Sequence, residues 1–161
     1  MMTIVPPIKS QGIKTKLVPW INDIIRRSEL DLAHTNWVEP FFGTGVVGLN
    51  APVGGQHYVA DSNPHIVNFY NGVLNGDITP QNMRTYLEYE GRLLSEADEN
   101  GYAHYRKVRD RFNTGHSPFD FIFLSRAGFN GMMRFNRRGG WNIPFCKKPN
   151  RFAPALYYKN L

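Results

Sequence analysis

Cysteine occurs once in the 161 residues, as Cys146, which excludes an internal disulfide framework and a multi-cysteine zinc site. That usage fits a reducing compartment. The five histidines, His34, His57, His65, His104 and His116, are scattered without ligand spacing, so no metal is expected. No apolar run approaches the ~20 residues needed to cross a bilayer. The start, with Pro6-Pro7 and no long apolar segment, does not read as a secretion signal. Acidic residues are missing from one end. Residues 121–161 hold no Asp or Glu but eight Lys/Arg: Arg126, Arg134, Arg137, Arg138, Lys147, Lys148, Arg151 and Lys159. Residues 1–120 hold the other 11 basic residues and all 13 acidic ones, a net of −2. A near-neutral body with a basic end points to a polyanionic partner more than uniform basicity would.

What is present fits a folded protein. A composition of 42% hydrophobic and 20% charged residues excludes wholesale disorder. The length suits one domain with one core. Gly 15 and Pro 11 predict many turns. No internal repeat or low-complexity tract is visible. Leu17, Trp20, Ile21, Ile24 and Ile25 stand at helical spacing within Lys14–Arg27, with Pro19 near the first turn. Trp37–Phe42 reads as a short strand running into a glycine turn, Gly43-Thr44-Gly45, and Val46–Asn50 as a helix start. His57–Asp61 reads as a second short strand ending on an acid. Ser62 or Asn63 then caps a helix with Pro64 at its first position. Thr79 to about Asn113 is polar and mostly helical, with a break near Asn100-Gly101. Pro118–Leu124 opens a buried helix, and Arg137-Arg138-Gly139-Gly140 reads as a hairpin turn between two short strands.

The order strand, Gly-x-Gly, strand, acid has a chemical meaning. Glycines let the backbone turn tightly and approach a ligand closely. A following helix start offers free N–H groups. Asp61, 16 residues past Gly45, is placed to accept hydrogen bonds from two ribose hydroxyls. Such a combination suits a nucleotide-like cofactor. Because Gly43-x-Gly45-x-x-Gly48 also matches the dinucleotide fingerprint, a nicotinamide or flavin oxidoreductase stays open on these residues alone. The plainer alternatives are a simple turn, an exposed salt-bridging Lys14 and an Asp61 that only caps.

Four blocks together carry a resemblance. Glu39-Pro40-Phe41-Phe42-Gly43-Thr44-Gly45, followed by apolar residues to Asn50, resembles motif I of the Dam-like (alpha-class) DNA adenine-N6 methyltransferases. Lys9–Lys14 resembles their motif X, K-W-x-G-G-K, with Ser10 in place of the aromatic and Ile13 in place of the second glycine. Ala60-Asp61-Ser62-Asn63 is similar to their A-D-x-N. Arg126–Asn136 and Trp141–Phe145 are similar to their DNA-contacting segment. The blocks come in the family's order over residues 9 to 145. The resemblance implies S-adenosylmethionine as cofactor. Lys14 would meet its methionine carboxylate, and Asp61 would hold the ribose hydroxyls. Phe41 and the Gly43–Gly45 turn would border it, with Ser10, Glu39 and Pro40 completing the set.

The basic segment supplies the second half of that expectation. Cations release phosphate counterions, Arg reads a guanine edge with two hydrogen bonds, and an exposed aromatic wedges between bases. An enzyme acting on a base within a duplex must flip it out. The resemblance assigns Phe129 to the intercalating position, Asn130 and Met132 beside it, Arg134 to base readout, and Lys9 and Pro144 to positions near the bases. Arg126 and Asn136 belong to the same matched segment. Arg137 and Arg138, in the turn, suit phosphates better than bases. The alternative is a solvated charged face above core aromatics.

One part of the family pattern has no counterpart. The tetrapeptide D/N/S-P-P-Y/F/W accepts hydrogen bonds from the target amine and stacks on the flipped base. No such tetrapeptide occurs here: Pro6-Pro7 follows Val5, and Asn142-Ile143-Pro144-Phe145 has Ile143 where a proline is required. No catalytic residue is therefore assigned to this chain. The expectation is an α/β fold, part of a Rossmann-like methyltransferase sheet with an inserted helical and β-hairpin DNA-recognition segment. Its cofactor part spans 1–75, its recognition segment 76–150, and a tail 151–161 leads toward the missing half. The missing strand would leave a parallel edge unpaired, so a second chain carrying the tetrapeptide is expected beside double-stranded DNA. A binding module without catalysis and a truncated fragment are the alternatives. The resemblance also implies a cytoplasmic, prokaryotic or phage-encoded setting, with restriction–modification and regulatory marking both open.

Overall fold

The computed structural model describes residues 3–152; the expected tail lies, from residue 153 on, outside them. The length suits a single core, yet the chain divides into two compact units. Gly12–Val67 and the residues up to Pro7 form the first; Ile8–Gln11 and the chain from Asn68 onward form the second.

The first unit holds helix α1, Val18–Arg26, and strands β1, Trp37–Glu39, and β2, His57–Val59. The strands pair in parallel with Trp37 opposite His57, Val38 opposite Tyr58 and Glu39 opposite Val59. Phe42 N–H to Ala60 O at 2.8 Å carries the pairing one step into the glycine turn. α1 starts late, because Pro19 occupies its first turn. Its apolar stripe faces outward: Val18 and Asn22 are its buried residues, while Leu17, Trp20 and Ile24 are exposed. The expected helix after Gly45 is reduced to a 3₁₀ turn, Gly48–Asn50. Ala51 is extended (φ −61°, ψ 129°), as a residue before Pro52 tends to be. Asn50 is also pulled aside, its side chain bonding both N–H and C=O of Ile4 at 2.8 Å.

Helix α2, Pro64–Leu74, leads from the first unit's residues into those of the second. The second unit is built on α3, Pro80–Glu96, α4, Tyr102–Gly115, and α5, Pro118–Ala127. Thr79 and Asn82 close a reciprocal capping box on α3. α3 and α4 are separated near Asn100 and Gly101, both at positive φ (55° and 90°). A Cβ on Gly101 would stand 2.7 Å from Leu94 O, so glycine is required twice over. α5 is buried on every side from Asp120 to Ser125, the mark of a central core helix. Around it pack Leu94, Tyr105, Val108, Phe112 and Trp141, all essentially without solvent contact. Phe152 returns to stack on Phe123, with ring centres 4.9 Å apart.

The expected turn at residues 137–140 is present, but its flanking strands are reduced to single antiparallel bridges, Phe135 with Trp141 and Gly128 with Phe145. The returning segment keeps a few backbone bonds, among them Asn142 N–H to Arg134 O at 3.0 Å and Cys146 N–H to Ala127 O at 3.0 Å, and gives other backbone groups to side chains. Arg134 takes the Asn142 carbonyl, Tyr105 the Ile143 carbonyl, and Asn113 the Trp141 N–H.

Candidate cofactor site and nucleic-acid interface

In the first unit, β1 delivers the chain into a turn that only glycine makes cheaply. Gly43 and Gly45 have φ of 55° and 86°, in the left-handed region. No atom lies within 4 Å of a Cβ built on Gly43, so that face of the turn is open. Asp61 stands at the end of β2 and ties two elements together. One carboxylate oxygen accepts the Gly43 N–H at 2.7 Å and the other the Asn63 N–H at 2.8 Å. Asn63 in turn caps α2 by accepting the His65 N–H at 3.0 Å. Asp61 is thus a capping residue as well as a candidate ligand. A carboxylate has about four acceptor positions, so hydroxyl donors still find room on it.

Glu39 lies half-buried under the turn and accepts the Trp37 indole N–H at 3.0 Å. Burial raises its carboxyl above the usual range, against hydrogen bonds from Trp37 and the Gly48 backbone. Gly48 is needed here for space: a Cβ would meet Glu39 Oε2 at 2.6 Å and the Phe42 ring at 2.8 Å. Pro40 is exposed, and Phe41 holds its ring 86% exposed at the lip of the turn. Lys14 is exposed and donates to Gly12 O at 2.7 Å, leaving two ammonium hydrogens. Ser10 belongs to the second unit, where its hydroxyl donates to Gln11 O at 3.1 Å. The open glycine turn, Asp61, Lys14 and Phe41 all belong to the first unit.

All the candidate DNA-contacting residues lie in the second unit. Phe129 is 52% exposed, at the end of α5, where Asn130 adopts φ 54° and exposes its side chain. The Phe129 N–H donates to Pro144 O at 2.8 Å. Met132 is half-buried. Arg134 is exposed, its guanidinium donating to Asn142 O at 3.0 and 3.3 Å. Asn136 organises the turn, accepting the N–H groups of Arg138 and Gly140 at 2.9 and 3.0 Å. Arg137 and Arg138 are exposed at its tip. Lys9 joins this surface from far along the chain: its N–H donates to Ser125 Oγ at 3.4 Å, and Gly131 packs on its side chain. Burial lowers the Lys9 ammonium below its ordinary range. The charges of Arg151, Arg126 and Lys148 add to this, while Cys146 opposes it. Arg126, half-buried, gives its carbonyl to Arg151 at 3.1 Å.

Sequence reasoning missed two clusters behind this surface. In the first, Tyr105 and Asn113 of α4 bind the backbone of Trp141 and Ile143. The second is a charge network in which the exposed Arg111 reaches two buried acids, Glu90 and Asp120. Arg111 bonds Asp120 at 2.9 and 2.6 Å and Glu90 at 2.8 Å, Tyr86 donates to Asp120, and Glu90 meets His104 at 2.6 Å. Its one legible signal was Asp120 inside the apolar run from Pro118 to Leu124. Among the described residues no group of three or more His, Cys, Asp or Glu could hold a metal ion. No helix of these residues is long and apolar enough to cross a membrane.

A parallel strand pair with a glycine turn and a terminal acid is the arrangement of α/β proteins that bind nucleotide-like cofactors. A family model, D12 class N6 adenine-specific DNA methyltransferase, matches residues 10–159, and the chain belongs to that family. The family implies an S-adenosylmethionine-dependent methyltransferase fold, of which the described residues show a two-stranded parallel sheet. The chain is 31% identical over 160 residues to the DNA adenine methylase of Haemophilus influenzae, covering 91% of this chain and 54% of that protein. It is 34% identical over 118 residues to the Vibrio cholerae enzyme of that name, covering 70% of this chain and 40% of the relative. It is 36% identical over 129 residues to the Escherichia coli enzyme, covering 75% and 43%. The chain therefore spans about half the length, or less, of these relatives.

Proposed function

We propose that this chain binds S-adenosylmethionine and duplex DNA as one part of an adenine-N6 DNA methyltransferase. A second polypeptide carrying the D/N/S-P-P-Y/F/W tetrapeptide completes it. The carrying observation is the Asp61–Gly43 turn, which lies within the stretch that the family model matches. In this reading, residues 1–75 are the cofactor part and 76–150 the recognition segment. The cofactor supplies an electrophilic methyl group. Asp61 holds the ribose hydroxyls, Lys14 the carboxylate, and Phe41 borders the cofactor, with Glu39, Pro40 and Gly45 shaping the turn; Ser10 keeps its assignment to the cofactor set from the motif alone. Arg137 and Arg138 neutralise phosphates, Lys9, Asn130, Met132, Arg134 and Pro144 face the bases, and Phe129 fills the space left by a flipped adenine. Arg126 and Asn136 hold that surface in shape.

The surface of the sheet leaves room for further structure to cover it, the place this reading gives to the second polypeptide. Parallel strands are normally covered on both faces. Here Val38 is 67% and Tyr58 57% exposed, and β1 pairs with β2 alone among the described residues.

The test is transfer of labelled methyl groups from S-adenosylmethionine to adenine in duplex DNA. The chain is assayed alone and with a polypeptide bearing the tetrapeptide. Methylation is expected only in the mixture. Full methylation by the chain alone removes the partner. DNA binding without any S-adenosylmethionine binding favours a non-catalytic nucleic-acid-binding module.

A further inference from the structure

Tyr105 is entirely buried on α4, yet its hydroxyl is used twice. It donates to Ile143 O at 2.6 Å and accepts the Trp141 indole N–H at 3.0 Å. Asn113 lies eight residues on, about two turns along the same helix face. Its side-chain oxygen accepts the Trp141 backbone N–H at 2.7 Å, and a Cβ on Gly140 would stand 3.3 Å from its amide. α4 therefore grips residues 141 and 143 from one side.

The segment it grips alternates like a strand. Trp141, Ile143 and Phe145 are buried; Asn142 and Pro144 are exposed. The exposed residues carry the carbonyls that organise the outer surface. Asn142 O receives the Arg134 guanidinium, and Pro144 O receives the Phe129 N–H. The inner half of each alternation is thus fixed to α4, and the outer half to the Arg134 guanidinium and the Phe129 backbone, with the Asn142 N–H also donating to Arg134 O at 3.0 Å. A slip of this segment would carry Arg134 and Phe129 with it. Burial raises the Tyr105 hydroxyl to about 12, against a hydrogen bond from Trp141, so it remains a donor at physiological pH.

We propose that Tyr105 and Asn113 are positioning residues for sequence recognition, setting the register of Trp141–Pro144 and so the placement of Arg134 and Phe129. The inference rests on the DNA-binding reading above. It differs from a core role in its consequence. Loss of register removes base discrimination, which needs placement. It spares the phosphate attraction, which needs only charge.

The experiment uses the full chain and two duplexes: one enriched by the wild type from a random-sequence pool, and a shuffled version of it. For Tyr105→Phe, the ratio of the two affinities is expected to fall tenfold or more. Affinity for the shuffled duplex and its salt slope should stay within twofold of wild type. Asn113→Ala should behave alike, and Asn113→Asp, which keeps an acceptor for the Trp141 N–H, should restore the ratio. Asn113→Ala decides the matter if Tyr105→Phe does not fold. Ratios unchanged in both variants, or both affinities lost in parallel, overturn the inference while DNA binding stands. A wild type that enriches no sequence also overturns it. A wild type that binds no duplex at all overturns the DNA-binding reading itself, and this inference with it.

Discussion

Asp61 and Gly43, 18 residues apart, are joined by a 2.7 Å hydrogen bond from the glycine N–H to the carboxylate. The acid therefore shapes the turn that it also serves. Replacing it by alanine removes the acceptors of two backbone N–H groups at once, since Asn63 N–H is bound by the other oxygen. The expected loss of stability is about 1 kcal/mol, as for other caps. Affinity for S-adenosylmethionine, read by titration calorimetry, should fall at least tenfold, because hydrogen bonds to a charged acceptor are worth about 1.5–3 kcal/mol each. Unchanged affinity in a folded Asp61→Ala protein would remove the acid from the site.

Gly48 and Gly43 should answer substitution differently. A methyl group at 48 would lie 2.6 Å from Glu39 Oε2 and 2.8 Å from Phe42. Gly48→Ala should cost roughly 1–3 kcal/mol through overpacking. At 43 there is space, and only the positive φ resists. Gly43→Ala should cost about 1–2 kcal/mol, and Gly43→Asn less, since Asn tolerates the left-handed region better. Denaturant unfolding of the three variants checks this order.

The glycine turn, the acid after β2, the α3–α4 break and the buried α5 were legible because each depends on local chemistry: positive φ, capping, or an unbroken apolar run. The short 3₁₀ turn at Gly48–Asn50 was not. Asn50 bonds Ile4, 46 residues away, and nothing in the local pattern of Val46–Asn50 announces that contact. The hairpin strands were misjudged for the same reason: the Arg134 guanidinium takes the Asn142 carbonyl that a longer ladder would have used, and Tyr105 and Asn113 of α4 hold the other edge of the segment. Division into two units also escaped a length argument. Ile8–Gln11 joins the second unit from the far end of the sequence, and its backbone bonds Ser125 and Gly131.

The Glu90 network gives a pH dependence with a definite sign. Burial raises the Glu90 carboxyl, but hydrogen bonds and charge from His104 and Arg111 outweigh it, and the net shift is downward from 4.5. A carboxyl lowered by folding stabilises the protein above its unfolded value, and that stability is lost as pH falls through the folded value. Melting temperature should therefore drop as pH falls below about 4.5. Glu90→Gln should be less stable at neutral pH yet show a shallower acid limb. Parallel melting curves for the two proteins between neutral and acid pH make the comparison; identical acid limbs would exclude Glu90 as a contributor.

Arg137 and Arg138 offer the cleanest separation of charge from shape. They sit at the tip of a turn held by Asn136, so removing their side chains disturbs no packed surface. Each phosphate neutralised by a cation contributes about 0.9 to the slope of log affinity against log salt concentration on B-DNA. Arg137→Ala and Arg138→Ala should each lower that slope by about 1 and weaken binding nearly uniformly across sequences. Asn136→Ala is the contrasting variant. It keeps both charges but frees the Arg138 and Gly140 N–H groups, so it should loosen the turn and leave the slope in place. Fluorescence anisotropy of a labelled duplex across a salt series distinguishes the two behaviours. A slope unmoved in the arginine variants would place the phosphate contacts elsewhere on the basic surface.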